Sequence, residues 1–132
     1  MNKYLCPKCR SELMIDNNVI LSAKAKDGSE GLIKLSPEVG DYSVTFPTTL
    51  NKKLGELLTL FCPVCHKNLS SSKHINLAMV ISSDESRQEF ELFFSQIIGE
   101  HSTIKMVGDN HEVFGEDVYK YQNYFDKPRQ MF

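Results

Sequence analysis

The sequence lacks the long apolar runs that a membrane-spanning protein needs. Its longest uninterrupted apolar run is residues 77–81, whereas a helix that crosses a bilayer requires about 20 such residues. The N-terminal stretch from Met1 to Cys6 also lacks the apolar core of a secretory signal. We therefore expect a cytoplasmic protein with no membrane partner.

Motifs of the common enzyme classes are missing as well. The sequence has no glycine-rich phosphate loop, no dinucleotide fingerprint and no pair of histidines at helical spacing. No acid/base constellation converges, so we predict no catalytic residue, and an enzyme is the weakest functional class. The 132 residues, 41% hydrophobic and 24% charged, fit one folded domain with or without a small appendage.

A strong excess of charge of one sign is also absent, because the net charge is −2. The charges are nevertheless unevenly distributed. Residues 1–83 contain ten basic and seven acidic side chains, whereas residues 84–126 contain three basic and ten acidic ones. A nucleic-acid-binding protein usually carries a basic stripe that contacts phosphates. The acidic C-terminal part therefore disfavours nucleic acid as a partner. Binding of nucleic acid would have to depend on a local basic patch.

Cysteine is scarce, but its four copies fall into two matched Cys-Pro-x-Cys pairs. Residues 4–13 and 60–69 share the pattern apolar-apolar-Cys-Pro-x-Cys-x-polar-polar-Leu, and this is the internal repeat that the sequence predicts. Proline fixes one backbone angle of each turn. Two thiolates on one tight turn can bind a single ion, and two such turns that face each other complete a tetrahedral site.

This pattern resembles the zinc-ribbon class, in which two such knuckles lie at the ends of β-hairpins. The resemblance implies a structural Zn²⁺ with four thiolate ligands, Cys6, Cys9, Cys62 and Cys65. Zinc ribbons often have glycine after the second cysteine, whereas this chain has Arg10 and His66, so we expect a positive φ at both. The 52 residues between the pairs predict an elaborated β-domain inserted between the knuckles.

Other uses of the cysteines have weaker support. Structural disulfides are unfavoured in a chain without an export signal. A thiol–disulfide enzyme needs a helix that begins at its motif, but the residues after Cys65, including three serines in succession, form helices poorly. A rubredoxin-like site remains an alternative, because a Cys₄ tetrahedron suits iron as well as zinc.

The remaining pattern predicts an α+β fold that is mostly β. We expect zinc-ribbon-like hairpins, an elaborated antiparallel sheet and one C-terminal helix over residues 116–125, where Val118, Tyr121 and Phe125 follow helical spacing. The serine-rich stretch at 70–73 divides the chain into a metal-binding part, residues 1–70, and a second part, residues 71–132. The second part contains strands and the helix, and the two parts could pack as one domain.

The function that fits this pattern best is a non-enzymatic adaptor, with a metal that holds the fold and a surface that binds another protein or a second copy. Strand alternation places Phe93 on the face opposite to Phe90, Leu92 and Phe94, so we hypothesise that Phe93 marks a protein–protein contact. The alternative is a nucleic-acid-associated ribbon that uses basic residues near the knuckles, Lys3, Lys8, Arg10, Lys67 and Lys73.

Overall fold

The computed structural model describes residues 2–125, which form antiparallel strands in two sheets. The first sheet has the order β1-β7-β8-β9-β10, with strands at Lys3–Leu5, Leu77–Ser83, Glu89–Ser95, Thr103–Val107 and Asn110–Phe114. The second has the order β2-β3-β4-β5, with β6 also paired to β3, and its strands are Met14–Ile15, Asn18–Lys24, Glu30–Leu35, Val44–Thr45 and Thr59–Phe61.

The two sheets share one core because alternation along the long strands gives each sheet an apolar face. Leu21 and Ile33 of the second sheet pack in the same buried cluster as Val80 and Leu92 of the first. These four side chains are at most 7% exposed. The strands predicted around residues 18–25, 32–35, 89–94 and 103–107 are confirmed to within about three residues at either end.

The chain is a structural duplication that extends far beyond the cysteine repeat. When the same number is added to every residue number, the residue pairs between neighbouring strands of the β3-β4-β5 meander become those of the β7-β8-β9 meander. Val19 opposite Leu35 becomes Ala78 opposite Phe94. In the same way, Leu35 opposite Val44 becomes Phe94 opposite Thr103. Two halves of about equal length therefore repeat one β-meander, each preceded by a cysteine knuckle.

The connecting loops repeat with the same hydrogen bonds. The amide of Ser36 donates to the carbonyl of Ser43 (3.4 Å), and the amide of Ser95 donates to that of Ser102 (3.1 Å). Between these serines, Gly40 and Gly99 occupy equivalent places with φ of 94° and 89°. The segments 36–43 and 95–102 are therefore two copies of one loop, and we call them the paired loops.

The halves exchange their first strands. β1 of the first half pairs with β7 of the second, and β6 of the second half pairs with β3 of the first. The registers are equivalent, with Leu5 opposite Ile81 and Phe61 opposite Ser22. Reciprocal contacts of this kind are the signature of a two-fold interface. The molecule is thus arranged as a dimer of two halves within one chain.

The predicted C-terminal helix is wrong, and the fold is not α+β but nearly all β. Residues 116–125 contain two short 3₁₀ helices, Val118–Lys120 and Gln122–Phe125, and no helix among the described residues reaches seven residues. Val118, Tyr121 and Phe125 do share one buried face, which explains their spacing. The intervening tyrosines and asparagine have modest helix propensity, so the turns depend on this packing and on backbone hydrogen bonds such as that from the amide of Tyr121 to the carbonyl of Val118 (2.9 Å). No helix within residues 2–125 is long and apolar enough to cross a bilayer.

Phe93 lies on the face of β8 that strand alternation predicts, but it is not exposed. Its side chain is 4% exposed and belongs to a second core between the first sheet and the 3₁₀ helices. The Phe93 and Phe125 rings meet edge to face with centroids 4.7 Å apart. The hypothesis that Phe93 marks a surface contact with another protein therefore fails, because the 3₁₀ helices at 118–125 cover it.

Candidate metal centre

Each cysteine pair lies at the tip of a hairpin that is delivered by a short strand. β1 leads into Cys6 and β6 leads into Cys62. The chain then returns antiparallel: the amide of Leu13 donates to the carbonyl of Tyr4 (2.7 Å), and the amide of Leu69 donates to that of Leu60 (2.9 Å). Both leucines are at most 2% exposed, so a buried side chain supports each knuckle from below.

The backbone of each knuckle is arranged around its first sulfur. The amides of Lys8 and Cys9 point at Cys6 Sγ, at 3.3 and 3.5 Å. In the other knuckle, the amides of Val64 and Cys65 lie 3.3 and 3.4 Å from the Sγ of the preceding cysteine, Cys62. N–H donors at this position stabilise a thiolate. The two turns therefore direct the same pair of N–H donors at equivalent sulfurs, Cys6 Sγ and Cys62 Sγ.

Both turns end in a residue with positive φ, as expected for positions where zinc ribbons often have glycine. Arg10 has φ of 67° and His66 has φ of 63°. In this left-handed conformation, each amide donates back to the carbonyl of the first cysteine, Cys6 or Cys62, at 2.9 Å. The cost of the conformation to a residue with a Cβ is accepted at the same place in both knuckles, which indicates that the turn geometry requires it.

The four sulfurs form a compact cluster. All lie within 4.8 Å of one another, with Cys6 Sγ 3.8 Å from Cys65 Sγ and Cys9 Sγ 3.7 Å from Cys62 Sγ. Interchanging the two knuckles turns one of these contacts into the other. The cluster therefore lies at the centre of the two-fold arrangement of the halves. Metal–sulfur bonds of about 2.3 Å in a tetrahedron give sulfur–sulfur edges of about 3.8 Å. The cluster thus has the dimensions of a Cys₄ metal site.

Burial divides the four cysteines into two kinds. Cys6 and Cys62 are fully buried, whereas Cys9 is exposed. Hydrogen bonds from Ser11 lower the pKa of Cys9 to about 6, and burial raises the pKa of Cys62 to about 12. At Cys62 burial therefore outweighs the amide donors of Val64 and Cys65, which lower the pKa, and a bound cation would favour the thiolate.

Charged groups near the knuckles are partly neutralised within the chain. The Arg10 guanidinium binds both carboxylate oxygens of Glu89, one of them at 3.0 Å, and lowers the pKa of that carboxyl. Lys73 lies 5.7 Å from the Phe125 ring, where it borders the second core. Two of the five basic residues predicted for phosphate binding, Arg10 and Lys73, therefore have neighbours within the chain.

Two of the histidines predicted to be structural pack against aromatic rings. His101 stacks on Tyr42 with ring centroids 4.5 Å apart, and His74 meets the rings of Tyr121 and Tyr124 edge to face. Within residues 2–125, the four cysteines are the one group of three or more metal-binding side chains with ligand atoms close together. Sequence reasoning identified this group but missed the stack of His101 on Tyr42, which the equivalence of the paired loops could have indicated.

Comparisons with known proteins add no relative to this geometry. No protein family, no curated protein and no solved structure matches the chain. The similarity to zinc ribbons therefore rests on the knuckles themselves, and what the molecule contains is a four-cysteine cluster suited to a metal ion.

Proposed function

We propose that the four cysteines bind one Zn²⁺ and that this ion has a structural role. The observation that carries the proposal is the sulfur tetrahedron with matched N–H donors on both knuckles. Four thiolates fill a tetrahedral coordination sphere and leave no open position for substrate or water, which is the arrangement of structural zinc. The ion would fasten the halves of the chain to each other across their two-fold relation.

The protein would then act as a non-enzymatic binding module, with a protein partner or a second copy as its ligand. This role fits a molecule whose clustered polar side chains are engaged in stacking and loop hydrogen bonds, such as His101 and Asp41. Reduced thiolates also need a reducing compartment, which is why we propose the cytoplasm as its location.

The metal can be identified directly on the purified full-length chain. We expect one zinc per chain by elemental analysis, and Co²⁺ substitution should give the visible bands of a tetrahedral thiolate site. Cys62→Ser should abolish both signals. Val64→Ser is the matched control, since Val64 lies between the two cysteines of the same knuckle and is 58% exposed. Its metal content should stay unchanged.

Three results would contradict the proposal. A metal content near zero in freshly purified protein would show that the four cysteines bind no metal. Stoichiometric iron with a reversible one-electron reduction would favour a rubredoxin-like protein. Retention on DNA that weakens steeply with salt, and that is reduced by Lys8→Glu together with Lys67→Glu, would favour nucleic acid over a protein partner. We expect no retention on DNA at any salt concentration.

A further inference from the structure

The two halves line a second feature that the metal does not explain, a mainly apolar cavity of about 500 Å³ that is open on one side. Its wall is built from residues that the duplication makes equivalent, which include Ile33 and Leu92, Leu35 and Phe94, and Val39 and Ile98. Tyr4 and Leu60, each two residues before a knuckle, also line it. The cavity therefore exists only where the halves meet.

Most hydrogen-bonding groups along the wall are already engaged within the protein, but the buried hydroxyl of Ser102, which also lines the cavity, has no partner among the described residues. The Tyr42 hydroxyl lies 3.0 Å from Thr103 Oγ1, and the Ser95 hydroxyl donates to Glu100 at 2.7 Å. The Gln96 carboxamide accepts the amide of Leu60 and donates to two oxygens of neighbouring loops. An occupant therefore meets hydrocarbon surface and finds few polar groups that need it as a partner.

Charge at the wall disfavours an anionic occupant. Three carboxylates belong to the lining, those of Glu38, Asp41 and Glu100, whereas the ammonium group of Lys52 lies over the Phe46 ring at 4.3 Å. Lys120 pairs with Glu100 at 3.2 Å, so an anionic head group would still meet the carboxylates of Glu38 and Asp41 with Lys52 as the one lysine of the wall. An uncharged molecule carries no such penalty.

One wall residue is poorly covered by the protein itself. Leu54, in the segment that joins the halves, is 83% exposed although it lines the cavity and lies against Gly99. A cavity of this volume is in the range of small-molecule sites, which are lined mainly by apolar side chains.

We propose that this cavity binds an uncharged, largely apolar small molecule, held between the paired loops and the inner faces of the two sheets. The occupant fills the space between the halves and covers Leu54. The site does not depend on which metal the cysteines bind, provided that the halves stay together.

The proposal is tested on the metal-loaded full chain with N-phenyl-1-naphthylamine, a neutral fluorophore. We expect one saturable site whose fluorescence is displaced by decanol and not by decanoate. Amide chemical shifts should move in residues 36–43 and 95–102. Val44→Phe, which places a larger side chain in the wall, should weaken binding by about tenfold or more, equivalent to about 1.4 kcal/mol. The neighbouring Thr45→Phe on the opposite strand face should change it by less than about twofold.

A second pair of variants guards against misfolding of the first. Leu54→Ser removes an exposed wall residue and should weaken binding, whereas Leu32→Ser removes a comparably exposed leucine on the outer face of β4 and should not. Absence of saturable binding, equal effects of Leu54→Ser and Leu32→Ser, or stronger competition by decanoate than by decanol would overturn the proposal.

Discussion

Removal of the metal should loosen both halves of the chain at once. The strand that carries Cys6 belongs to the first sheet, next to β7, and the strand that carries Cys62 belongs to the second, next to β3. In a chain-closure treatment, a cross-link across the 52 residues between Cys9 and Cys62 contributes about 4 kcal/mol. Because a domain is stable by about 5 to 15 kcal/mol in total, this link is a large share.

The expected size of the effect follows from the length of the chain. For 132 residues, the unfolding entropy converts about 4 kcal/mol into a fall in Tm on the order of 15 °C. Thermal unfolding by circular dichroism should show this fall for Cys62→Ser and for chelated protein, and not for Val64→Ser. Hydrogen exchange should show that amides of β1 and β6 lose protection together, since the metal fastens both strands.

A nicked chain provides an independent measurement of the same link. A protease site introduced between Lys52 and Lys53, both exposed, cuts the segment that joins the halves. The exchanged strands should keep the fragments associated while metal is bound, and chelation should lower the urea concentration at which they separate. An unchanged Tm after verified metal removal, or equal urea midpoints with and without chelator, would refute the reasoning.

Three further outcomes follow from local geometry. His66→Gly should raise the stability by up to about 1 kcal/mol in urea unfolding, because glycine adopts the left-handed conformation without a Cβ clash; a destabilised variant would contradict this. Phe93→Ala should cost about 3 to 5 kcal/mol in the same assay, since it empties the space beside Phe125, and a stable variant with altered hydrodynamic size would instead restore Phe93 as an interface residue. Hydrogen bonds from Ser29 lead the interactions that lower the pKa of Asp27 to about 2. Because the folded pKa lies below the unfolded value of about 4, the stabilisation is present above pH 4 and is lost as the pH falls towards 2. The amide shift of Ser29 should titrate with that low midpoint in NMR spectra, and a midpoint near 4 would contradict the hydrogen-bonded arrangement.

The cysteine cluster could be predicted from the sequence because its chemistry is local. Two thiols, a proline and a fixed spacing define each knuckle, and the resemblance to zinc ribbons implied a positive φ at Arg10 and His66, as found. The strands of the long hairpins could also be predicted, because alternation of apolar and polar residues survives wherever one face is buried. The division of the chain at residue 70 stays a prediction.

The C-terminal region could not be predicted, because its apolar spacing is compatible with more than one backbone. Val118, Tyr121 and Phe125 need only face the sheet together, and two 3₁₀ turns achieve this as well as an α-helix. Strand β10 was also missed, since its burial pattern is largely exposed and carries little alternation. In both cases tertiary packing decided the structure.

The duplication escaped sequence reasoning outside the knuckles because most equivalent positions have diverged. A short signal was present: Ser36-x-x-Val-Gly-Asp-Tyr-Ser43 corresponds to Ser95-x-x-Ile-Gly-Glu-His-Ser102. Outside the two positions marked x, each position keeps its general chemical character, and the serines and glycines keep their hydrogen bonds and φ angles. A similarity of eight residues is recognised as a repeat only once the shared loop geometry is known.

The divergence between the halves follows what each half must cover. Inner positions stay apolar in both copies, as Ile33 and Leu92 do. On the outer faces, Lys34 of the first half corresponds to Phe93 of the second, and Thr45 corresponds to Ile104. The second half alone places the 3₁₀ helices over these positions within the described residues, so the same site is polar where water meets it and apolar where the chain returns over it. The knuckles lie at the contact between the halves and face equivalent neighbours in both copies. This explains why the cysteine repeat is the part of the duplication that can still be recognised in the sequence.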